Sequence, residues 1–142
     1  MEEYLKRIAD ALERAFPLDP DTAFFEKADA FIWEPDRNHF SEVRSISTID
    51  ISLLKGMDKE IKQVSLNTKA FADGNLANNV LVWGARGMGK STLIKSVVKA
   101  TSFKNNNLKI IEVARDDIGQ MNILLKTIKN LDKKFIIFCD DI

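Results

Sequence analysis

Residues Gly84-Ala85-Arg86-Gly87-Met88-Gly89-Lys90-Ser91 follow the spacing GxxxxGK[ST], with an apolar run before them and a helical pattern after them. A chain that uses this loop must build a strand–loop–helix unit, because a strand has to deliver the loop and a helix N-terminus has to complete it. Chance produces the spacing in roughly 0.5% of chains this long, given ordinary Gly, Lys, Ser and Thr usage. The flanks fit the unit. Asn79-Val80-Leu81-Val82-Trp83 reads as a short buried strand, and Leu93, Ile94, Val97 and Val98 recur at helical spacing beyond the loop. Nucleotide binding is therefore the leading expectation.

The residue types match that chemistry. Gly84, Gly87 and Gly89 can adopt positive φ and leave room for phosphate oxygens to approach the main chain, where a β-carbon would block them. Backbone N–H groups of such a loop, Ala85 and Met88 included, form an anion nest, reinforced by the open N-terminus of the helix beginning near Lys90. Lys90 would reach the β and γ phosphates as a point charge and act in catalysis, while the Ser91 hydroxyl would hold Mg²⁺. Thr92 completes the set as the next helical residue, in a structural role. Arg86 is available to phosphate, although an exposed loop arginine is the commoner case.

Composition narrows the class. A chain of 142 residues is near the size of one ordinary domain, and 21 basic against 21 acidic side chains leave no overall field drawing it to nucleic acid or membrane. The longest apolar runs, such as Phe135 to Cys139, are far too short to cross a bilayer, and Met1-Glu2-Glu3 is no signal peptide. The default location is the cytoplasm. Cys139 stands alone, which rules out a disulfide framework and a cysteine-based metal site and suggests a buried strand residue. His39, equally alone, reads as a surface or packing residue.

Along the chain, Leu5, Ile8, Leu12 and Phe16 mark a helix over residues 4–16 that needs a partner surface; the sequence does not choose between the body of the domain and another chain. Residues 21–52 form a packed, partly extended connector containing Phe24, Phe25, Phe31, Ile32 and Trp33. Met57, Ile61, Val64, Thr68 and Phe71 mark a second helix between Gly56 and Gly74. Lys109 to Ala114 reads as a strand, Met121 to Leu131 as a helix, and Phe135 to Cys139 as a strand apolar enough to be central in a parallel sheet. The expected division is an N-terminal helix and connector, 1–52, followed by an α/β unit, 53–142, in which strands and helices alternate.

The last strand ends in Asp140-Asp141, where a Walker B carboxylate belongs. Asp140 would support Mg²⁺ directly or through water. Its distance along the chain from Lys90 suits two crossovers and no larger insertion.

Leu54-Lys55-Gly56-Met57-Asp58, the stretch from Ala77 through Ser91, and Phe135 to Asp141 together resemble the AAA+ ATPases, and more closely a bacterial AAA+-like family known as domain of unknown function 815; the likeness extends to Phe31-Ile32-Trp33. The resemblance implies a three-layer P-loop NTPase fold that binds and hydrolyses ATP with Mg²⁺. It also implies that the main chain at Gly56 passes beside adenine, and that the complete protein is a homo-oligomer acting on a protein or nucleic-acid client. Asp141 stands where such ATPases usually carry a water-activating glutamate; its shorter side chain can still polarise water, at a different reach. Met88 replaces a threonine common in these loops.

In the AAA+ arrangement the strand between the loop strand and the Walker B strand comes later in sequence than Walker B. The chain is thus expected to be an incomplete piece of such a domain, lacking sensor, arginine finger and lid, turning over ATP negligibly, and exposing an apolar face beside Val80 to Trp83. The competing reading is a non-hydrolysing, nucleotide-responsive adaptor. A small-molecule kinase would need substrate and lid segments that are not found, and no Asn-Lys-x-Asp segment reads guanine.

Overall fold

The computed structural model describes residues 1–16, 19–85, 87 and 89–141. Helix α1, Glu2–Ala15, matches the amphipathic pattern and begins with Glu2 and Glu3 in its first turn, where acidic groups favour the helix dipole. The connector then folds into a hairpin of β1, Ala30–Glu34, and β2, His39–Glu42, turned by Pro35–Arg37 and by Asn38, which adopts the left-handed conformation at φ 45°. Helix α2 spans Asp58–Ala72, α3 Lys90–Ser102, and α4 Met121–Ile128; β3 spans Leu108–Val113 and β4 Lys134–Cys139.

The four strands form one sheet in the order β2-β1-β3-β4. β1 pairs antiparallel with β2, with Trp33 opposite Phe40, and parallel with β3, with Phe31 opposite Ile111; β3 and β4 are parallel, with Ile111 opposite Ile137. The sheet is therefore mixed, not wholly parallel as the sequence suggests, because the tight turn ending at Asn38 returns the chain beside β1. The connector contributes strands to the same sheet as β3 and β4, so pairing runs across the 52/53 division.

Period-two alternation sends side chains to two cores. Phe31 and Trp33 of β1 and Ile111 and Val113 of β3 point to one face, where they meet Phe25, Phe40 and the α4 residues Leu124 and Ile128. Ala30, Leu108 and Ile110 point to the other and meet Ala72 of α2, Val98 of α3 and Phe138. A third cluster, Leu54, Val64, Leu93 and Val97, joins α2 to α3. Helices thus cover both faces of the sheet. The buried Trp33 donates its Nε1–H to Asn38 Oδ1 at 3.1 Å, and Asn38 Nδ2 donates to Thr127 Oγ1 at 3.0 Å, so one polar chain ties the hairpin to α4.

Two expectations about strands are overturned. Asn79 to Trp83 is not a strand in the structure, and β4 is an edge strand of the described sheet, not a central one. The causes are linked: a strand exists through its ladder partner, and none of the described residues fills the space between β4 and this segment. Leu81 is 75% and Trp83 84% exposed, which is the open apolar face expected beside Val80 to Trp83.

An acid-sensitive contact fastens the sheet edge. The largely buried Lys133 ammonium donates to Glu26 Oε1, and that hydrogen bond holds the Glu26 carboxyl below its ordinary value of 4.5, against a smaller opposing effect of burial. Because the folded value is depressed, the ionised contact contributes stability above about pH 4.5 and loses it as pH falls through the folded value. Thermal melting of Glu26→Gln should therefore be lower than wild type at neutral pH, with the gap closing in acid. A gap independent of pH would assign the loss to packing.

Candidate functional site

The loop and the tip of β4 meet at the start of α3. Gly84, Gly87 and Gly89 all have positive φ, at 150°, 76° and 82°, so the conformations that favour glycine occur at the three positions anticipated. At Gly87 a β-carbon would meet nothing within 4 Å, so the loop is open on that side. Gly89 caps α3 without any side-chain hydrogen bond, leaving the first-turn N–H groups of the helix for a ligand or water.

Charged and polar side chains converge on this turn. Lys90 Nζ donates to the carbonyl oxygens of Gly84 at 2.8 Å and Ala85 at 2.7 Å, which folds the ammonium back over its own loop. Ser91 Oγ donates to Asp140 Oδ2 at 2.6 Å, joining the first turn of α3 to the residue that follows β4. Asp140 also accepts the Asp141 backbone N–H at 3.0 Å through its other oxygen. Asp141, exposed, takes a left-handed φ of 53°, an unusual conformation for a residue with a β-carbon. Thr92 is half-buried in the same helical turn.

The 51–57 segment packs against this corner. Leu54 is buried against Leu93 and Val97, and a β-carbon on Gly89 would lie 3.7 Å from Met57 Sδ and 3.9 Å from Leu54 Cδ2. Gly56, exposed and at φ 77°, sits between those two neighbours in sequence, so the structure brings its segment beside the loop. Arg86 and Met88 lie outside the described residues.

A cleft of about 860 Å³ opens from this corner. Its walls are β4, the 77–84 segment, the facing sides of α2 and α3, and Met121 and Leu125 of α4, and it carries Lys90, Ser91, Asp140 and Asp141 among otherwise mostly apolar residues. Sequence reasoning missed one residue that shapes it. Asn67 of α2 binds Asn78 twice, donating to its carbonyl and accepting from its N–H, both at 2.8 Å, and so fixes the chain entering the loop. An asparagine in a helix gives no period or spacing signal of such a role. His39 is an exposed β2 residue and Cys139 is half-buried on β4, where desolvation pushes its thiol upward. Among the described residues no three His, Cys, Asp or Glu side chains cluster as a metal site, and no helix is long and apolar enough to cross a membrane.

The family described as Protein of unknown function (DUF815) matches residues 26–142, from just before β1 to the chain end. The chain belongs to that family. The DUF815 match takes in the whole sheet, the loop and Asp140, and leaves α1 outside it. No curated protein and no solved structure matches the chain.

Replacing Gly89 by alanine should cost roughly 1–2 kcal/mol of folding stability, since alanine in a left-handed conformation is strained whatever the space around it. Chemical denaturation measures this directly, and an unchanged midpoint would show that the turn relaxes freely.

Proposed function

We propose that this chain binds Mg·ATP, with the triphosphate on the Gly84–Ser91 loop and the cation at Ser91 and Asp140, as the phosphate-binding part of an AAA+-like P-loop NTPase. The 2.6 Å contact between Ser91 Oγ and Asp140 Oδ2 carries this reading, because it joins two groups distant in sequence at the mouth of a glycine-opened helix N-terminus. The residues fit the ligand. Glycine at 84, 87 and 89 keeps β-carbons off those three positive-φ positions, the uncapped start of α3 supplies N–H donors, and a hydroxyl beside a carboxylate is an oxygen donor set suited to a hard divalent cation.

Magnesium, when bound, neutralises charge developing on the phosphates. The protein groups do the rest. Lys90 would exchange its two loop carbonyls for phosphate oxygens, Ser91 and Asp140 would hold the cation, and the loop amides would orient the triphosphate. Asp141 stands next along the chain as the group to polarise an attacking water in hydrolysis. Adenine is the base this reading favours, because the 54–57 segment offers apolar contact beside the loop.

Calorimetric titration with ATP and GTP, with and without magnesium, tests the proposal. Asp140→Asn should lose most of the magnesium-dependent gain in affinity and keep the magnesium-free binding. Absence of heat from both nucleotides on folded wild-type chain would sink the assignment.

A further inference from the structure

An ion pair stands on the sheet-facing side of α3, among apolar neighbours. Lys95 lies one helical turn beyond Ser91, and its Nζ is 3.0 Å from Glu112 Oε2 of β3 and 5.3 Å from the centre of the Phe138 ring of β4. Glu112 and Phe138 are opposite each other in the β3–β4 register, and Glu112 shares its face of β3 with the buried Leu108 and Ile110. Both charged side chains are partly shielded, at 23% and 39% exposed. Among the described residues that line the cleft, neither appears, so the pair acts on the site only through the elements that carry it.

Stability alone does not account for charges here. A shielded ion pair generally contributes no more than apolar residues of similar volume would, and what it adds is direction. The Lys95 ammonium is held from two strands at once, by a carboxylate on β3 and by a ring face on β4, so it fixes α3 both across and along the sheet. The neighbouring Ile94 and Val98 resist separation from the sheet but oppose sliding less, because burial is non-directional.

The Ser91–Asp140 contact lies one step nearer the loop. From Lys95 back to Ser91 is one turn, about 6 Å along the helix. From Phe138 on to Asp140 is two strand residues, about 6.6 Å. The steps match, so a helix located by Lys95 arrives with Ser91 Oγ against Asp140 Oδ2, at 2.6 Å. A cation held by those two oxygens would take the place of their hydrogen bond, whereas the Lys95 contacts would stay. We infer that Lys95 and Glu112 are positioning residues, which keep the start of α3 in register with the tip of β4 and so set the spacing of Ser91 and Asp140 for a divalent cation. This role rests on the magnesium site proposed above.

Calorimetric titration of the full chain with ATP, with and without magnesium, tests the role when paired with urea denaturation. Lys95→Met with Glu112→Leu, which puts apolar groups in place of the pair, should keep wild-type stability and magnesium-free affinity while the magnesium-dependent gain in affinity falls about tenfold. Lys95→Met alone should lose the gain as well, and Lys95→Arg, which retains the charge and the ring contact, should recover it. The role is overturned if the double variant keeps the full gain, if Lys95→Arg loses as much as Lys95→Met, or if folding or magnesium-free affinity falls by as much as the gain, which would make the pair a general support of the fold. A wild-type chain that binds ATP with no magnesium-dependent gain, or does not bind it, removes the proposed cation site and this role with it, whereas a wild-type gain that the variants share removes this role alone.

Discussion

Lys90→Ala is expected to weaken Mg·ATP binding by about 1.5–3 kcal/mol, roughly ten- to 150-fold in dissociation constant. The size follows from the chemistry of the interaction that the substitution removes. Lys90 already places its ammonium 2.8 and 2.7 Å from two loop carbonyls, so the side chain reaches the centre of the loop, and a charge-assisted hydrogen bond to phosphate would replace those two. Its removal also frees the Gly84 and Ala85 carbonyls, which then face the triphosphate without a cation between. Calorimetry on wild type and variant under identical salt gives the difference. An affinity unchanged by the substitution would mean that any nucleotide sits elsewhere on the chain. The folded state should tolerate the change well, because Lys90 is only partly buried and its partners can turn to water.

Phe25→Ala should remove about 3–5 kcal/mol of stability, the largest effect on folding expected of a single substitution here. Phe25 is fully buried and stands at the centre of an aromatic group, with ring centroids 4.8 Å from Phe31, 4.9 Å from Phe135, and 5.3 Å from Phe24 and Phe40, each pair close to edge-on. Truncation leaves a cavity bounded by both strands of the hairpin and by β4, none of which can move inward without disturbing its ladder. Against a total stability of about 5–15 kcal/mol for an ordinary domain, such a loss leaves little margin. Urea denaturation of the variant checks the magnitude, and a loss below about 1 kcal/mol would show that the aromatic group repacks.

Much of the local structure was legible because it depends on short-range pattern. The helical spacing of Leu5, Ile8 and Leu12, the run from Met57 to Phe71, the strand at Lys109 to Ala114 and the apolar Phe135 to Cys139 all appear as elements within a residue or two of their expected limits. The hairpin was less legible. Phe31, Ile32 and Trp33 read as extended and packed, yet their place beside β3 depends on pairing with residues about eighty positions later, which no local period encodes. Asn79 to Trp83 failed in the opposite sense: its strand-forming residues are present, but strand formation is a property of two backbones, and the neighbouring ladder is not supplied by the described chain.

The site divides along the same line. Sequence by itself determined the loop chemistry: three glycines where the backbone takes positive φ, a lysine and a serine at the first turn of the following helix, and a carboxylate at a strand end. Those are local requirements, written in residue type and spacing. Only the tertiary structure decided that Ser91 and Asp140 touch, that the 54–57 segment packs against Gly89, that Asn67 fixes the chain entering the loop, and that β4 lies at an edge with a cleft beyond it. Each of these joins residues distant in sequence, and such contacts are set by how sheet and helices stack, a balance of burial and pairing over the whole chain that no single segment carries.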